Sequence, residues 1–364
     1  MDNGKHITLT VTETCNLNCV YCYEPFKNAR RMSFQTAVDI INRELNTEEQ
    51  LDYIEIAFHG GEPLLEFDLI RRICEYVWEH NYNQKYYFFA TTNGTLLNHT
   101  MKEWFARNAS RFYLGLSLDG TEEVHNHNRS NSYDKIDFDF FLHNWPNQHV
   151  KMTISDYTIP RLSESIIHVE NLGFRILANF AFGIDWTKIN LDVLDRELFA
   201  LVQYYSANPK LEICSLLNQD FQNIGLNFKR WCGAGVTMRV YDVTGKLFPC
   251  HFFQEFAIGK EKSVLAEKID FSDDGSFIDE KCKNCLLVPL CPTCYGYNYA
   301  TTGDISKRDD GMCVLTKHCI LAASYLAYQR LQHYSDTDLG IDEGKRRGVL
   351  RGVYRVQQYF KNES

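Results

Sequence analysis

The sequence lacks the features that direct a chain into or across a membrane. The N-terminus has no apolar run behind a basic cap, so no signal peptide is predicted. No stretch of about 18 apolar residues is present, so no transmembrane helix is expected. An excess of basic residues is also missing, because 38 Lys and Arg stand against 47 Asp and Glu, a net charge of −9. This balance disfavours nucleic-acid binding, and together these absences predict a cytoplasmic protein that binds neither membrane nor nucleic acid.

Cysteine, in contrast, is abundant, with 13 residues in a chain of 364. An apolar content of 45% and a charged content of 23% are close to globular averages, which excludes a disordered or fibrous chain. The length predicts two or three domains at roughly 150 residues each. Because a reducing cytoplasm opposes disulfide formation, metal ligation is the first role to expect for these cysteines.

The first half of the chain alternates β-rich segments with amphipathic helices. Strands are predicted at 7–11, 53–58, 86–91, 112–117, 150–155 and 175–182. Helices are predicted between them at 33–45, with Ser33 as N-cap, and at 67–78, 98–107, 134–144 and 163–172. Six βα units predict a parallel sheet, too short for an eight-stranded barrel but compatible with a curved partial one. An active site is then expected at the carboxyl ends of the strands.

Motifs suited to ligand binding follow the first four predicted strands. The motif Cys15-x3-Cys19-x2-Cys22 follows the first strand, and its three thiolates can hold three irons of a [4Fe–4S] cluster while the fourth iron stays open. The next three strands end in Gly60, Gly61, Glu62 and Pro63, then in Asn93, then in Ser117 with Arg129 shortly after. Taken singly, the cysteines are also compatible with a zinc loop and the other motifs with ordinary turns. Their succession at strand ends is what a ligand-binding rim requires.

These motifs, with Tyr21 just before the third cysteine, resemble the radical SAM enzymes over residues 7–185. The resemblance implies a partial (β/α)6 TIM-like barrel in which Cys15, Cys19 and Cys22 ligate a [4Fe–4S] cluster. S-adenosylmethionine (SAM) would chelate the open iron. The implied SAM contacts are Glu62 and the Gly60 and Gly61 backbone for its amino group, Arg129 for its carboxylate, Ser117 and Asn93 for its ribose and methionine parts, and Tyr21 for its adenine. A guanidinium suits the carboxylate because it binds in a bidentate way.

The remaining cysteines are concentrated in the C-terminal part of the chain. Two Cys-x2-Cys pairs, 282–285 and 291–294, are also typical of zinc ribbons, so zinc stays open here. Beside the N-terminal motif, however, the array resembles the SPASM domain, which carries two auxiliary [4Fe–4S] clusters. The resemblance implies that one cluster is ligated by Cys282, Cys285, Cys291 and Cys313, and the other by Cys232, Cys250 and Cys294. The second set has an open iron, or takes Cys214 or Cys319 as its fourth ligand.

Three clusters are therefore expected, one that binds SAM and two auxiliary ones. One departure is that the last cysteine pair is separated by two residues, where the family usually has three. The predicted domains are a radical SAM partial barrel at 1–210, a small cysteine-rich SPASM domain at 211–330 and a basic helical tail at 331–364. Cys74 lies on an apolar helix stripe and is assigned to the core.

The resemblance implies a 5′-deoxyadenosyl radical that abstracts hydrogen from a C–H bond of the substrate. The leading hypothesis is a maturase for a ribosomally synthesised peptide that forms an intramolecular carbon–carbon or thioether crosslink. One alternative is an anaerobic sulfatase maturase, which makes formylglycine. That group usually has Asp where this chain has His251, a candidate proton acceptor or a hydrogen-bond donor to a cluster sulfur. A zinc-stabilised binding protein is the alternative from another class.

The expected partners follow from this hypothesis. They are a precursor peptide as substrate and an electron donor such as flavodoxin or ferredoxin. The cysteine motif begins fifteen residues from Met1, so we expect the leader segment of the peptide to be bound by a separate protein or by the body of this chain.

Overall fold

The computed structural model describes residues 3–226 and 230–363, and these residues form a mixed α/β architecture. The strands are β1 (Lys5–Thr12), β2 (Ile54–Gly60), β3 (Tyr86–Thr92), β4 (Phe112–Leu116), β5 (His149–Ile154), β6 (Arg175–Phe180), β7 (Met238–Tyr241) and β8 (Leu247–Phe248). A six-stranded sheet has the order β4-β3-β2-β1-β7-β8, and β5 with β6 forms a two-stranded sheet. All pairs in the larger sheet are parallel except β7 with β8. The predicted α/β class with parallel strands is confirmed.

The helices alternate with the first six strands and then dominate the C-terminal part of the chain. They are α1 (Phe34–Leu45), α2 (Phe67–Glu79), α3 (His99–Asn108), α4 (Glu122–Asn128), α5 (Phe138–Asn144), α6 (Leu162–Asn171), α7 (Leu191–Ala207), α8 (Glu255–Ile258), α9 (Lys260–Ala266), α10 (Tyr295–Thr302), α11 (Asp310–His333), α12 (Asp336–Leu339) and α13 (Glu343–Glu363). Ser33 is the predicted cap of α1, since its Oγ accepts a hydrogen bond from the Thr36 N–H.

The helix predicted at 134–144 is wrong at its start. A short 3-10 turn covers Tyr133–Lys135, and α5 begins only at Phe138. Asp137 sets this boundary because its carboxylate accepts a hydrogen bond from the Phe140 N–H at 3.1 Å, which makes it the N-cap. The helix α4, just before this region, was not predicted at all.

By packing, the chain divides into two compact units. The first unit comprises Met1–Leu118, His125–Val150 and Cys232–Asp273, and it contains the six-stranded sheet. The second unit comprises Asp119–Val124, Lys151–Trp231 and Asp274–Ser364. These units reflect packing alone, so the domain bounds predicted at 210 and 330 stay predictions. None of the helices in the described ranges has the length and apolar character needed to cross a membrane.

The strand register of the first unit places the predicted motifs at one edge of the sheet. In β1 and β2, Thr10 lies beside His59 and Thr12 beside Gly60, with an irregularity between the two pairs. In β3 and β4, Thr92 lies beside Leu116. Because these strands are parallel, the loops that follow them emerge at the same edge. Motifs that follow one another along the chain therefore lie close together in the structure.

Candidate active site

The loop after β1 carries Cys15, Cys19 and Cys22, each of them half-buried. The Cys22 N–H donates to the Cys19 carbonyl at 3.1 Å, which closes the loop on itself. Two further bonds hold it from outside: the Val20 N–H donates to the Asn128 carbonyl at 3.0 Å, and the Asn18 N–H donates to Ser130 Oγ at 3.0 Å. Burial raises the pKa of the Cys15 thiol to about 11.

The segment Gly60–Pro63 lies directly against this loop. The Glu62 N–H donates to the Thr14 carbonyl at 2.9 Å, and the Gly61 N–H donates to the Thr12 carbonyl at 3.3 Å. A Cβ added at Gly61 would lie 2.5 Å from the Thr14 carbonyl oxygen and 2.8 Å from Cys15 Cβ. Only glycine allows this approach, after which Pro63 starts a 3-10 turn.

Glu62 is a buried carboxylate with well-defined partners. It is 2% exposed and accepts hydrogen bonds from Thr92 Oγ1 at 2.7 Å, the Asn93 N–H at 2.9 Å and the Leu64 N–H at 3.1 Å. Burial raises the pKa of this carboxyl, and the hydrogen bonds and the positive charge of Arg129 oppose that rise. From the sequence, Thr92 stands in the motif that contains the predicted Asn93, but no role was assigned to it.

Asn93 and Ser117 follow neighbouring strands and are both buried. The Asn93 side-chain amide donates to Asn16 Oδ1 at 2.9 Å, which joins it to the cysteine loop. The Ser117 N–H donates to the carbonyl of Thr92 at 2.9 Å, and Thr92 is the residue whose hydroxyl donates to Glu62. The structure therefore brings Asn93 into contact with the loop and places Ser117 at the same sheet edge.

Arg129 is a buried cation at the start of an unusual turn. Its guanidinium carbon lies 5.5 Å from the centre of the Tyr21 ring, so these two predicted site residues contact each other. The next two residues, Ser130 and Asn131, have left-handed backbones with φ of 57° and 53°. Such strain persists only where surrounding contacts fix it, and Ser130 is one of the residues that hold the cysteine loop. Sequence reasoning did not find this turn.

His251 lies close to a residue that follows the cysteine loop, Tyr23, and to one at the end of β2, His59. Its ring centre is 5.0 Å from that of His59 and 5.6 Å from that of Tyr23. His59 Nε2 is 2.9 Å from Oε1 of the buried Glu24, and Tyr23 stacks on Phe252 at 4.8 Å. Tyr23, Glu24 and His59 were not singled out from the sequence, yet they connect the predicted candidate His251 to the loop.

Four cysteines of the second unit line one small cavity of about 40 Å³. They are the set predicted for one auxiliary cluster: Cys282, Cys285, Cys291 and Cys313. Burial raises the pKa of Cys291 to about 12 and also raises that of Cys282, so their deprotonation requires compensating positive charge. The chemistry of the set, four thiols converging on one space, fits an iron–sulfur cluster.

The other predicted auxiliary set is divided between the units. Cys232 and Cys250 belong to the first unit and Cys294 to the second. Cys294 lines a cavity of about 290 Å³ together with Cys319, one of the candidate fourth ligands. Within the described ranges, no three His, Cys, Asp or Glu side chains are arranged around a single metal ion, and the ligand assignments stay predictions.

Comparison with known proteins identifies the family. The family model described as the radical SAM superfamily matches residues 9–137. A cysteine-type anaerobic sulfatase-maturating enzyme of Clostridium perfringens is 35% identical over 76% of this chain and 84% of its own length. An uncharacterised protein of Methanocaldococcus jannaschii is 41% identical over 34% of this chain, which spans 41% of that protein's length.

Solved structures show the same fold at low sequence identity. The enzyme anSMEcpe with bound AdoMet and Cp18Cys peptide has a TM-score of 0.65 at 20% identity, covering 87% of this chain and 95% of its own. SuiB of Streptococcus suis bound to the precursor peptide SuiA has a TM-score of 0.58 at 16% identity, covering 86% and 76%. Together, sequence and fold define a SAM-binding iron–sulfur enzyme. The chain belongs to the radical SAM superfamily, and the cysteines of its C-terminal part fit a SPASM-like region.

Proposed function

We propose that this protein is a radical SAM/SPASM maturase that modifies a ribosomally synthesised peptide, forming an intramolecular carbon–carbon or thioether crosslink. The observation that carries the proposal is the convergence of the cysteine loop, the Gly60–Pro63 segment and Arg129 at one sheet edge. The bound cofactors supply a 5′-deoxyadenosyl radical that abstracts a hydrogen atom from the substrate. The protein's own task is to bind SAM, orient the peptide and exclude water.

The proposed SAM site uses the charges and backbone groups of this edge. The buried Glu62 carboxylate and the Gly60–Gly61 backbone hold the amino group, and the Arg129 guanidinium holds the carboxylate. Tyr21, which contacts Arg129, lies toward the adenine, while Asn93 and Ser117 serve the methionine and ribose parts. The support is that the buried Arg129 guanidinium and the buried Glu62 carboxylate lie near each other beside the cysteine loop.

The proposed cluster ligands number ten. Cys15, Cys19 and Cys22 hold the SAM-binding [4Fe–4S] cluster. Two auxiliary clusters are assigned to Cys282, Cys285, Cys291 and Cys313 and to Cys232, Cys250 and Cys294. The common cavity of the four-cysteine set supports that assignment.

A peptide substrate is supported by the relatives. SuiB is described with a precursor peptide and anSMEcpe with a peptide, and a relative that is 35% identical is a sulfatase-maturating enzyme. We further propose a cytoplasmic location, an electron donor such as flavodoxin or ferredoxin, and a separate protein or the body of this chain as the binder of the leader segment.

Formylglycine formation on a sulfatase is the second candidate. The 35% identity to the Clostridium perfringens enzyme favours it. The residue after Cys250 argues against it, because His251 stands where that group usually has Asp. The first hypothesis therefore takes precedence.

Co-expression with a small peptide encoded next to this chain's gene tests the proposal. Mass spectrometry of the purified peptide is expected to show the loss of two hydrogens at a new crosslink. A peptide of unchanged mass, together with a sulfatase fragment converted to formylglycine, would establish the second candidate instead. Both candidates are distinguished from a zinc-stabilised binding protein by anaerobic purification followed by iron, zinc and sulfide analysis. A zinc-stabilised binding protein is expected to contain zinc and no sulfide.

Replacement of His251 by alanine is expected to uncouple SAM cleavage from peptide modification. Because His251 lies beside Tyr23 and His59 and is not among the proposed SAM contacts, 5′-deoxyadenosine should still form. Modified peptide should fall by roughly 10²-fold or more, the usual contribution of a positioned proton-transfer group. The ratio of product to 5′-deoxyadenosine, measured by liquid chromatography with mass spectrometry, is the readout.

The matched control is His99→Ala, at a histidine whose side chain is 88% exposed. It should leave the ratio unchanged. Equal loss of both products in His251→Ala would indicate a structural role, and recovery of the ratio in His251→Asp would support proton acceptance.

A further inference from the structure

Arg308 is a buried guanidinium in the wall of the four-cysteine cavity. The residue is 8% exposed, and three hydrogen bonds fix the orientation of its guanidinium group. Nη1 donates to the Cys291 carbonyl at 2.7 Å, and Nη2 donates to the Pro292 carbonyl at 2.7 Å and to Thr316 Oγ1 at 3.2 Å. The side chain is therefore bound to the backbone of one of the cavity's own cysteines.

The charge of Arg308 is not neutralised by a carboxylate. Within the residues that the structure describes, its guanidinium forms no ion pair, and its buried Nε has no hydrogen-bond partner. Asp279 also lines the cavity, but its carboxylate accepts a hydrogen bond from the Arg308 backbone N–H at 2.8 Å and lies 3.8 Å from Lys281 Nζ, so it does not pair with the Arg308 guanidinium. A buried cation without a counter-anion is strongly unfavourable, so this position calls for negative charge nearby.

The cysteines of the cavity are the groups that can supply that charge. Arg308 lines the same cavity as all four thiols, and its Nη1 donates to the backbone carbonyl of Cys291, one of the four. Arginine stays protonated in proteins, so its charge persists at any pH at which the enzyme works. A cation and a set of thiolates in one enclosed space stabilise each other more than they would in water.

We propose that Arg308 is the fixed counter-cation of the metal centre held by Cys282, Cys285, Cys291 and Cys313 and that it raises the reduction potential of that centre. Reduction adds one electron, and hence one negative charge, which a nearby buried cation stabilises in the reduced state more than in the oxidised state. Net charge and hydrogen bonding around the sulfurs are established determinants of cluster potentials. The proposal rests on the four-cysteine ligand set. In it, Arg308 acts through its charge on the metal centre and not by contact with the substrate.

The test is a potentiometric titration of the full chain, reconstituted anaerobically and followed by electron paramagnetic resonance. A background with Cys15, Cys19 and Cys22 all replaced by alanine removes the first cluster, so the remaining signals come from auxiliary centres. In Arg308→Gln, one midpoint potential should shift to a lower value while iron and sulfide stay at the level of the background protein. In Arg308→Lys, which keeps the positive charge and loses the planar guanidinium group, the shift of the midpoint potential should be smaller.

Arg330→Gln is the matched control. Arg330 lies in the same unit, also donates to a backbone carbonyl, that of Pro209, and has a buried Nε without a partner in the described ranges. It does not line the cysteine cavity. All auxiliary midpoint potentials should remain unchanged in this variant.

Two results would overturn the inference. One is an unchanged set of midpoint potentials in Arg308→Gln with full iron content. The other is loss of iron in both Arg308→Gln and Arg308→Lys while thermal unfolding stays cooperative, which would make Arg308 a backbone clamp instead of a counter-charge. If the four cysteines are not the ligands, Cys291→Ser should keep its full iron content. That result distinguishes a wrong ligand set from a wrong role for Arg308.

Discussion

The variant in which Cys15, Cys19 and Cys22 are all replaced by alanine is expected to form no 5′-deoxyadenosine above the uncatalysed background. The three thiolates are the proposed ligands of the cluster that binds SAM, and alanine offers no ligand atom in their place. The loop should largely keep its path, because the backbone N–H groups of Cys22, Val20 and Asn18 hold it. The bonds lost include those that Cys15 Sγ accepts from the Leu17 N–H and Cys22 Sγ accepts from Lys27 Nζ. Liquid chromatography with mass spectrometry, after reduction with dithionite in the presence of SAM, measures the product.

The control for this variant is Cys74→Ala, the same substitution at a cysteine assigned to the core. Cys74 is fully buried in α2, where burial raises its pKa well above the usual value, as for an inert core thiol. Its loss should reduce stability by about 1 kcal/mol and leave 5′-deoxyadenosine formation intact. Iron in the triple variant should fall by the content of one cluster only. Continued cleavage of SAM by the triple variant would show that another set of cysteines binds it.

The alternation of strands and helices and the shared sheet edge of the first four strands were predictable, because both follow from short-range patterns. Buried β-rich runs such as Ile7–Val11 alternate with amphipathic helices, and parallel strands must then deliver their following loops to one edge. The cap at Ser33 was predictable for the same reason, since a cap acts within three residues. The grouping of Cys282, Cys285, Cys291 and Cys313 was implied by the family resemblance alone, and the structure places all four around one cavity.

The features that were missed depend on contacts distant in sequence. The strand β7 pairs with β1 across more than 200 residues, and nothing in its four residues shows which strand it joins. The left-handed backbone of Ser130 is imposed by surrounding contacts against its intrinsic preference, whereas asparagine, as at Asn131, adopts this conformation more readily. Thr92 was assigned no role because a threonine at a strand end is unremarkable until Glu62 is seen to accept its hydroxyl. Arg308 has no motif at all, and only its burial beside the cysteines marks it.

Gly61→Ala is expected to reduce 5′-deoxyadenosine formation by on the order of a hundredfold, the effect of a misplacement of about 1 Å in a site that depends on position. The new Cβ would lie 2.5 Å from the Thr14 carbonyl oxygen and 2.8 Å from Cys15 Cβ, distances that real contacts do not reach. Both obstacles belong to the cysteine loop or its backbone, so the loop must move. The readouts are SAM binding by equilibrium dialysis, which should weaken, and the rate of SAM cleavage.

The matched control for that change is Gly344→Ala in α13, where the nearest atom to the added Cβ is the end of the Asp342 side chain at 3.1 Å. There the methyl group should be tolerated, because the exposed Asp342 carboxylate, which accepts from the Lys345 N–H, need shift by only a few tenths of an ångström and alanine is the better helix former. A wild-type rate of SAM cleavage in Gly61→Ala would mean that the loop adjusts without loss, and that the close approach of the Gly60–Pro63 segment is a packing feature. A loss confined to Gly61→Ala, with auxiliary iron retained, would instead locate the effect at the junction of the cysteine loop with Glu62. That outcome would show that SAM binding depends on the close backbone contact between Gly61 and Thr14, which the two adjacent glycines make possible.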